Sequence, residues 1–178
     1  MKKIRRRTGQ KLRFLSVILC FLICFTACSH PKGDPLEYRS RSFSATVSVE
    51  RDSMNFDAIF HIKSPNEDQS IDFEIDFIAP ESLNGLSIIQ DGEGFEILFG
   101  EEKYTDILSS ILRELDIGKA VKLLSPEEPI ISVKSADGYT VVSTRDATVY
   151  IDPDTSLPVK ATDAQGKTTV TVKDFCYS

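Results

Sequence analysis

The amino-acid sequence predicts a mainly β fold: a curled antiparallel sheet of about ten strands with one or two helices on its concave side. Three observations favour this fold. Short runs of residues alternate between apolar and polar side chains. Turn-forming residues separate most of these runs, which favours antiparallel pairing of neighbouring strands. Only one stretch, near the middle of the chain, changes to the spacing of an amphipathic helix.

The first two predicted strands are residues 43–50 and 54–62. In each of them every second side chain is apolar. Because successive side chains of a strand point to opposite faces, both strands have one buried and one solvated face. Only a short turn separates them, so they are expected to pair as an antiparallel hairpin.

The third predicted strand, residues 71–77, alternates without interruption. Its four apolar side chains are separated by Asp72, Glu74 and Asp76. The pattern predicts an apolar core face backed by a row of carboxylates on the solvated face. Pro80 ends the strand, because proline cannot donate a hydrogen bond to the ladder.

The remaining strands flank turns that contain glycine, proline or aspartate. Asp91-Gly92-Glu93-Gly94 is typical of a hairpin turn, because glycine accepts positive φ angles. The later predicted strands are residues 86–90, 95–99, 130–134, 139–144, 147–151, 157–162 and 168–175.

One amphipathic helix is predicted between the strands at residues 95–99 and 130–134. Within residues 107–115, apolar side chains recur at three- and four-residue spacing, and Thr105-Asp106 precedes them as a candidate cap. Ile117-Gly118 is expected to interrupt this helix, and residues 119–124 to form one or two further helical turns before Pro126. The helix is expected to lie on the concave side of the sheet and plug its opening.

The chain begins with a cationic head and an apolar run. Residues 1–13 carry seven basic and no acidic side chains, and residues 14–27 are mostly apolar. This run is shorter than the roughly 20 residues of a membrane-spanning helix but suits the apolar region of a secretion signal. An uncleaved signal anchor is the alternative interpretation.

Cys28 is the cysteine expected to be processed. It follows Thr26 and Ala27, whereas Cys20 and Cys24 follow bulky side chains that signal peptidases reject. The run ending at Cys28 resembles the lipobox of bacterial lipoproteins, which implies cleavage between Ala27 and Cys28 and a lipid on the Cys28 thiol. The expected organisation is a signal peptide (1–27), a lipidated N-terminus with a flexible tether (28–42) and a domain (43–178). The expected location is the extracytoplasmic face of the cell membrane.

Charge and cysteine content restrict the mature chain further. Removing the seven basic residues of the head leaves 14 of 21 against 27 acidic residues, a formal charge of −13. Nucleic acid is therefore not an expected partner, and membrane attachment must come from the lipid on Cys28. Cys176 is the one remaining thiol, so no disulfide within the chain is expected.

No catalytic, metal or cofactor site is predicted. The two histidines, His30 and His61, have no ligand or catalytic partner at a recognisable spacing. The sequence contains no Gly-x-Ser-x-Gly elbow and no phosphate-binding glycine motif. Turn chemistry accounts for Asp152 and Asp154.

Residues 150–160, Tyr-Ile-Asp-Pro-Asp-Thr-Ser-Leu-Pro-Val-Lys, are similar to a strand-turn-strand segment of the lipoprotein-carrier superfamily, which includes LolA, LolB and the RseB/MucB regulators. The segment from Phe77-Ile-Ala-Pro80 to the Asp91-Gly92 hairpin is similar to another. The resemblance implies an unclosed β-barrel with helices on its concave side and an apolar cavity for acyl chains. A non-enzymatic envelope lipoprotein that binds a lipid or lipopeptide is the function that follows from it.

Seven apolar side chains are candidates for lining or plugging such a cavity. They are Phe56, Phe60, Phe73, Phe77, Ile107, Ile111 and Leu115. The alternative is that they form a filled core without a cavity. A second functional hypothesis is an envelope sensor or protein-interaction module, whose acidic outer face docks a basic protein partner.

Overall fold

The computed structural model describes residues 34–51, 54–65, 71–92, 94–104 and 117–178, and the compact unit described here is Pro35–Ser178. The strands are β1 (Phe43–Arg51), β2 (Met54–Ile62), β3 (Phe73–Ala79), β4 (Leu86–Asp91), β5 (Gly94–Phe99), β6 (Glu102–Tyr104), β7 (Ser132–Ala136), β8 (Tyr139–Ser143), β9 (Ala147–Ile151), β10 (Pro158–Asp163) and β11 (Thr168–Tyr177). The described helical elements are two 3₁₀ helices (Glu37–Ser40 and Glu81–Leu83) and helix α1 (Ile117–Leu124).

All eleven strands form one sheet in the order β6-β5-β4-β3-β2-β1-β11-β10-β9-β8-β7. Each neighbouring pair is antiparallel, and all but one pair are also neighbours in sequence. The exception is the pairing of β1 with β11. Within the described residues, β6 and β7 remain as unpaired edges, so the sheet does not close. The predicted unclosed antiparallel sheet is therefore confirmed.

The core lies on one face of this sheet, against α1. The alternating strands β1, β2 and β3 bury their apolar side chains and leave the intervening polar ones partly exposed. Helix α1 adds Ala120, Val121 and Leu124 to the same buried cluster and packs mainly on β9, β10 and β11. The alternation of apolar and polar side chains along the strands thus determines which face of the sheet is the concave one that packs in the core.

The domain begins earlier than the sequence predicted. The expected tether reached residue 42, whereas in the structure Leu36 is 0% and Tyr38 is 2% exposed. The Tyr38 ring packs edge-on against Phe43 and Phe175, with centroid distances of 5.8 and 6.0 Å. Its hydroxyl donates to the backbone oxygen of Leu124 at the end of α1. Residues 35–42 are therefore part of the packed domain, and a tether over residues 28–34 stays a prediction.

Three further differences separate the predicted from the observed elements. Strand β6 was not predicted, because its three residues are all exposed and show no alternation. Strand β7 is Ser132–Ala136 instead of residues 130–134. Helix α1 begins at Ile117 instead of residue 119. The helix predicted over residues 107–115 lies outside the described residues.

Gly118 lies within α1 and faces Phe73 of β3. A Cβ atom at this position would lie 3.7 Å from Phe73 Cζ, an ordinary van der Waals distance. We therefore expect Gly118→Ala to raise the free energy of unfolding by about 0.5–1 kcal/mol, because alanine loses less backbone entropy in a helix. Denaturant titration measures the change.

Gly166 provides the matched control for this substitution. Its φ of +70° lies in the left-handed region, although a Cβ atom there would meet nothing within 4 Å. Gly166→Ala should therefore destabilise the protein by about 1–2 kcal/mol. A destabilising effect of Gly118→Ala would mean that α1 approaches β3 more tightly than described.

Candidate functional site

Four of the seven predicted cavity residues lie together on the concave face. Phe56 and Phe60 belong to β2, and Phe73 and Phe77 to β3. All four are buried, and the rings of Phe56 and Phe77 have centroids 5.0 Å apart. The other three candidates, Ile107, Ile111 and Leu115, lie outside the described residues. A cavity-lining role for the seven stays a prediction.

A small recess lies at the end of this phenylalanine cluster, beside Phe56. Its volume is about 10 Å³. It is lined by Val49, Arg51, Met54, Phe56, Ile117, Ala120 and Thr168. This volume corresponds to about one water molecule. A ligand as large as an acyl chain can therefore enter here only if side chains on the concave face move.

A larger cavity lies beside α1, which we call the α1 groove. Its volume is about 400 Å³. It lies between α1 with its following loop and the turns that join β8 to β9 and β10 to β11. It is lined by Lys119, Lys122, Leu123, Pro126, Glu127, Glu128, Thr144, Asp146, Ala147, Asp163, Ala164 and Gln165. Sequence reasoning missed this groove, because its walls come from three segments far apart in the chain.

The α1 groove contains charges of both signs. Lys119 Nζ lies 3.8 Å from Asp163 Oδ2, and Lys122 Nζ lies 3.9 Å from Glu127 Oε1. Both separations exceed the 2.7–2.9 Å of a direct charged hydrogen bond. Both lysines therefore keep N–H donors for another acceptor.

Asp163 is the buried anion of the groove, with a side chain only 5% exposed. Burial by itself raises the pKa of this carboxyl, but backbone N–H groups of Lys167 and Thr168 and the Lys119 ammonium lower it. The net pKa lies below the ordinary aspartate value. Asp163 is therefore a carboxylate at neutral pH, and its Oδ1 accepts the Lys167 N–H at 2.8 Å.

Replacing Asp163 with asparagine is expected to lower the free energy of unfolding at pH 7 by about 1–3 kcal/mol, because the charged hydrogen bonds are lost. A lowered folded-state pKa contributes stability above the ordinary aspartate pKa of about 3.9, and this contribution disappears as the pH falls through the lowered value. Denaturant titrations at decreasing pH should show a constant difference down to the ordinary aspartate pKa of about 3.9 and a shrinking difference below it. Asp146→Asn, exposed in the same groove, should change stability by less than about 0.5 kcal/mol; an equal effect of both variants would contradict the assignment.

The predicted row of outer-face carboxylates is wrong at Asp72. This residue is 7% exposed, and its Oδ1 accepts the backbone N–H of Gly92 at 2.9 Å. The alternation does not reach it, since β3 begins only at Phe73. Glu74 and Asp76 do lie on the partly exposed face, so the acidic row is shorter than predicted.

Asp76 belongs to a polar network across four strands, in which Ser87 Oγ of β4 donates to Asp76 Oδ1. His61 Nε2 lies 3.2 Å from Asp76 Oδ2, and His61 Nδ1 lies 2.8 Å from Ser44 Oγ. The order of groups is that of a serine hydrolase triad. However, β1 has a strand on each side, so its backbone N–H groups bond within the sheet and do not converge on the Ser44 hydroxyl as oxyanion donors. The network therefore joins strands on the outer face, and the sequence could not reveal it without the register.

Two other sequence interpretations concern turns and metals. Asp152 Oδ1 accepts the backbone N–H groups of Asp154 and Thr155 at 2.8 and 3.0 Å, which confirms turn chemistry for this segment. In the part of the chain that the structure describes, no group of three or more His, Cys, Asp or Glu side chains is placed to hold a metal ion. None of the described helices is long and apolar enough to cross a membrane.

Comparisons with known proteins find likeness only among solved structures. No family model matches the sequence, and no curated protein matches it. An uncharacterized conserved protein from Thermus thermophilus is 15% identical, with a TM-score of 0.48 over 82% of this chain and 84% of that one. A LolA superfamily protein from Nitrosomonas europaea is 12% identical, with a TM-score of 0.38 over 76% of this chain and 86% of that one.

The Pseudomonas aeruginosa MucA/MucB complex contains another similar chain. It is 15% identical, with a TM-score of 0.42, and the alignment covers 81% of this chain. The present chain spans 55% of the length of that chain.

Proposed function

We propose that this chain is a non-enzymatic lipoprotein, anchored through a lipid on Cys28 to the extracytoplasmic face of the cell membrane, that binds a lipid or lipopeptide against its concave face. One observation supports it above the others: the open sheet carries a continuous apolar cluster on one face, and the described element that packs on that face is helix α1. A helical cover can move without breaking the ladder between strands. A second packed sheet offers no such freedom.

The positions of helix α1 and of the phenylalanine cluster indicate where a ligand would bind. Helix α1 packs mainly on β9, β10 and β11, whereas Phe60, Phe73 and Phe77 lie on β2 and β3. We infer that acyl chains bind over β2 and β3. Ile107, Ile111 and Leu115 lie outside the described residues, and their role in lining or plugging this space is part of the proposal.

The lipid carried by the purified protein tests this proposal. Full-length protein extracted from its native membrane in mild detergent should retain non-covalent lipid that mass spectrometry detects. Phe73→Gln should reduce this lipid severalfold, because a buried amide on the concave face disfavours hydrocarbon. Ile78→Gln is the matched control, since Ile78 lies on the same strand but is 43% exposed.

A further variant separates lost binding from lost folding. Phe73→Leu keeps the site apolar and should retain lipid. Wild-type protein that carries no more lipid than an unrelated anchored lipoprotein would refute lipid binding at the concave face. Equal lipid loss in Phe73→Gln and Ile78→Gln would also count against it.

An envelope sensor or interaction module that docks a basic protein partner is the second candidate. The formal charge of −13 for residues 28–178 favours it, since that chain has 14 basic and 27 acidic residues. Asp57 pairs with Lys173 at 2.9 Å and Asp76 with His61, whereas Glu74 forms no ion pair with a described residue and keeps its charge for a partner. Glu74→Lys should abolish capture of such a partner, while Glu81→Lys should not.

A further inference from the structure

The α1 groove brings two lysines of α1 close to two carboxylates that are not ion-paired. Lys119 and Lys122 stand three residues apart on α1 and therefore on one side of the helix. The carboxylates of Asp146 and Glu128 lie on the β8–β9 turn and on the loop after α1. Neither carboxylate forms an ion pair with a described residue. The groove thus offers cationic donors and separate anionic acceptors to one ligand.

This arrangement disfavours a ligand that carries only negative charge. The groove holds two lysines and four carboxylates, one of them the buried Asp163. The carboxylates outnumber the lysines, so an anionic group can bind at Lys119 and Lys122 only if the same ligand also brings a cation to the carboxylates. A ligand with an acidic group and a primary ammonium a few bonds apart can contact both the lysines and the carboxylates. Leu123, Pro126 and Ala147 supply apolar surface for a short hydrocarbon segment next to these charges.

Hydrogen bonds also connect the α1 groove to the N-terminal segment of the domain, which follows the proposed lipid anchor in the chain. Arg39 Nη1 donates to the backbone oxygen of Pro126, a groove residue, and Tyr38 holds Leu124 just before it. Fully extended, the chain from Cys28 to Pro35 spans at most about 25 Å. A lipidated Cys28 would therefore keep the groove wall near the membrane surface, where phospholipid headgroups are concentrated.

We propose that the α1 groove binds the headgroup of an amine-bearing phospholipid, with the phosphate at Lys119 and Lys122 and the ammonium at Asp146 and Glu128. The proposal rests on the proposed anchoring through Cys28, and it adds a polar headgroup site separate from the acyl site on β2 and β3. The groove volume of about 400 Å³ lies within the range of small-ligand sites.

Calorimetric titration with water-soluble headgroups tests the proposal directly. Full-length protein in detergent should bind glycerophosphoethanolamine. Glycerophosphocholine, whose quaternary ammonium donates no hydrogen bond, and glycerophosphoglycerol, which has no ammonium, should bind at least tenfold more weakly. Mixed detergent micelles that contain phosphatidylethanolamine should compete with the soluble headgroup, whereas inorganic phosphate at equal concentration should not.

Groove variants locate the site. Lys122→Gln and Asp146→Asn should each weaken binding of glycerophosphoethanolamine about tenfold, because each removes a charged hydrogen bond. Lys134→Gln and Glu81→Gln, which make the same changes at exposed positions outside the groove, should bind normally. All four positions are at the surface, so the fold should survive, and circular dichroism checks it.

Two results would overturn the inference: equal affinity for the three headgroups, or unchanged affinity in both groove variants. Neither result would touch the acyl site, because the soluble headgroups carry no acyl chain. Conversely, failure to retain lipid on the concave face with normal headgroup binding would refute the acyl site alone.

Discussion

Replacing Tyr38 with alanine is expected to lower the free energy of unfolding by about 3–5 kcal/mol, the range for removing a buried aromatic side chain. The ring packs edge-on against Phe43 and Phe175, which stack on each other with centroids 4.8 Å apart, and its hydroxyl donates to the backbone oxygen of Leu124. Removal therefore creates a cavity over β1 and β11 and leaves a buried acceptor unpaired. The loss is large relative to the 5–15 kcal/mol that stabilises a typical domain.

Two variants separate the contributions of ring and hydroxyl. Tyr38→Phe retains the packing and should cost only about 1–2 kcal/mol, the effect of the unpaired Leu124 oxygen. Tyr139→Ala removes a tyrosine that is 39% exposed and should cost less than about 1 kcal/mol. Denaturant titration measures all three. If Tyr38→Ala cost no more than Tyr139→Ala, residues 35–42 would not be part of the packed domain.

Replacing Cys28 with serine is expected to abolish lipid attachment and leave the full-length precursor. Serine lacks the thiol to which the proposed lipid would attach, and in lipoproteins of the kind that residues 14–28 resemble, cleavage follows lipid attachment. Intact-mass measurement and labelling with a radioactive fatty acid give the readout. Membrane fractionation alone does not, because an uncleaved apolar run would still hold the precursor in the membrane.

The chain supplies its own controls for this substitution. Cys20→Ser and Cys24→Ser change cysteines of the same apolar run, and Cys176→Ser changes the exposed thiol of β11. All three variants should be labelled and cleaved as the wild type is. Normal processing of Cys28→Ser, or loss of label in Cys24→Ser, would refute Cys28 as the lipidated residue. One acyl chain gives only reversible membrane binding, so two or more chains are needed for stable attachment.

The sheet could be predicted because its sequence signal is local. In β1, β2 and β3, buried side chains follow a period of two that no helix reproduces, and Pro80 and Gly92 mark turns through their own backbone preferences. Within β1 to β6, and again within β7 to β11, the order of strands in the sheet follows from short connections. Two strands joined by a hairpin must lie next to each other.

The missed features depend on contacts between distant residues. Tyr38 looks like part of a polar tether until Leu124 and Phe175 are placed beside it. The 3₁₀ turn at Glu37–Ser40 has too few residues to show periodicity. Asp72 is buried because the turn at Gly92 needs an acceptor, which strand alternation alone does not reveal.

The α1 groove was equally hidden from sequence reasoning. In the sequence, the groove lysines fit the solvated side of a helix, and the groove carboxylates fit ordinary turn residues. They become one site only when the β8–β9 and β10–β11 turns are brought to the same end of α1. A site assembled from turns requires the three-dimensional register of several strands, and no local pattern encodes it.

The pairing of β1 with β11 has a consequence for the order in which the protein folds. Strands β1 to β6 and strands β7 to β11 each form from neighbours in sequence, whereas the ladder joining them pairs Arg51 with Thr168 and Phe43 with Tyr177. Closing such a long loop is entropically costly and slow. Until β11 has been synthesised, β1 remains an unprotected edge that can pair with other chains. The interval between the emergence of β1 and that of β11 is therefore when this protein is most exposed to aggregation.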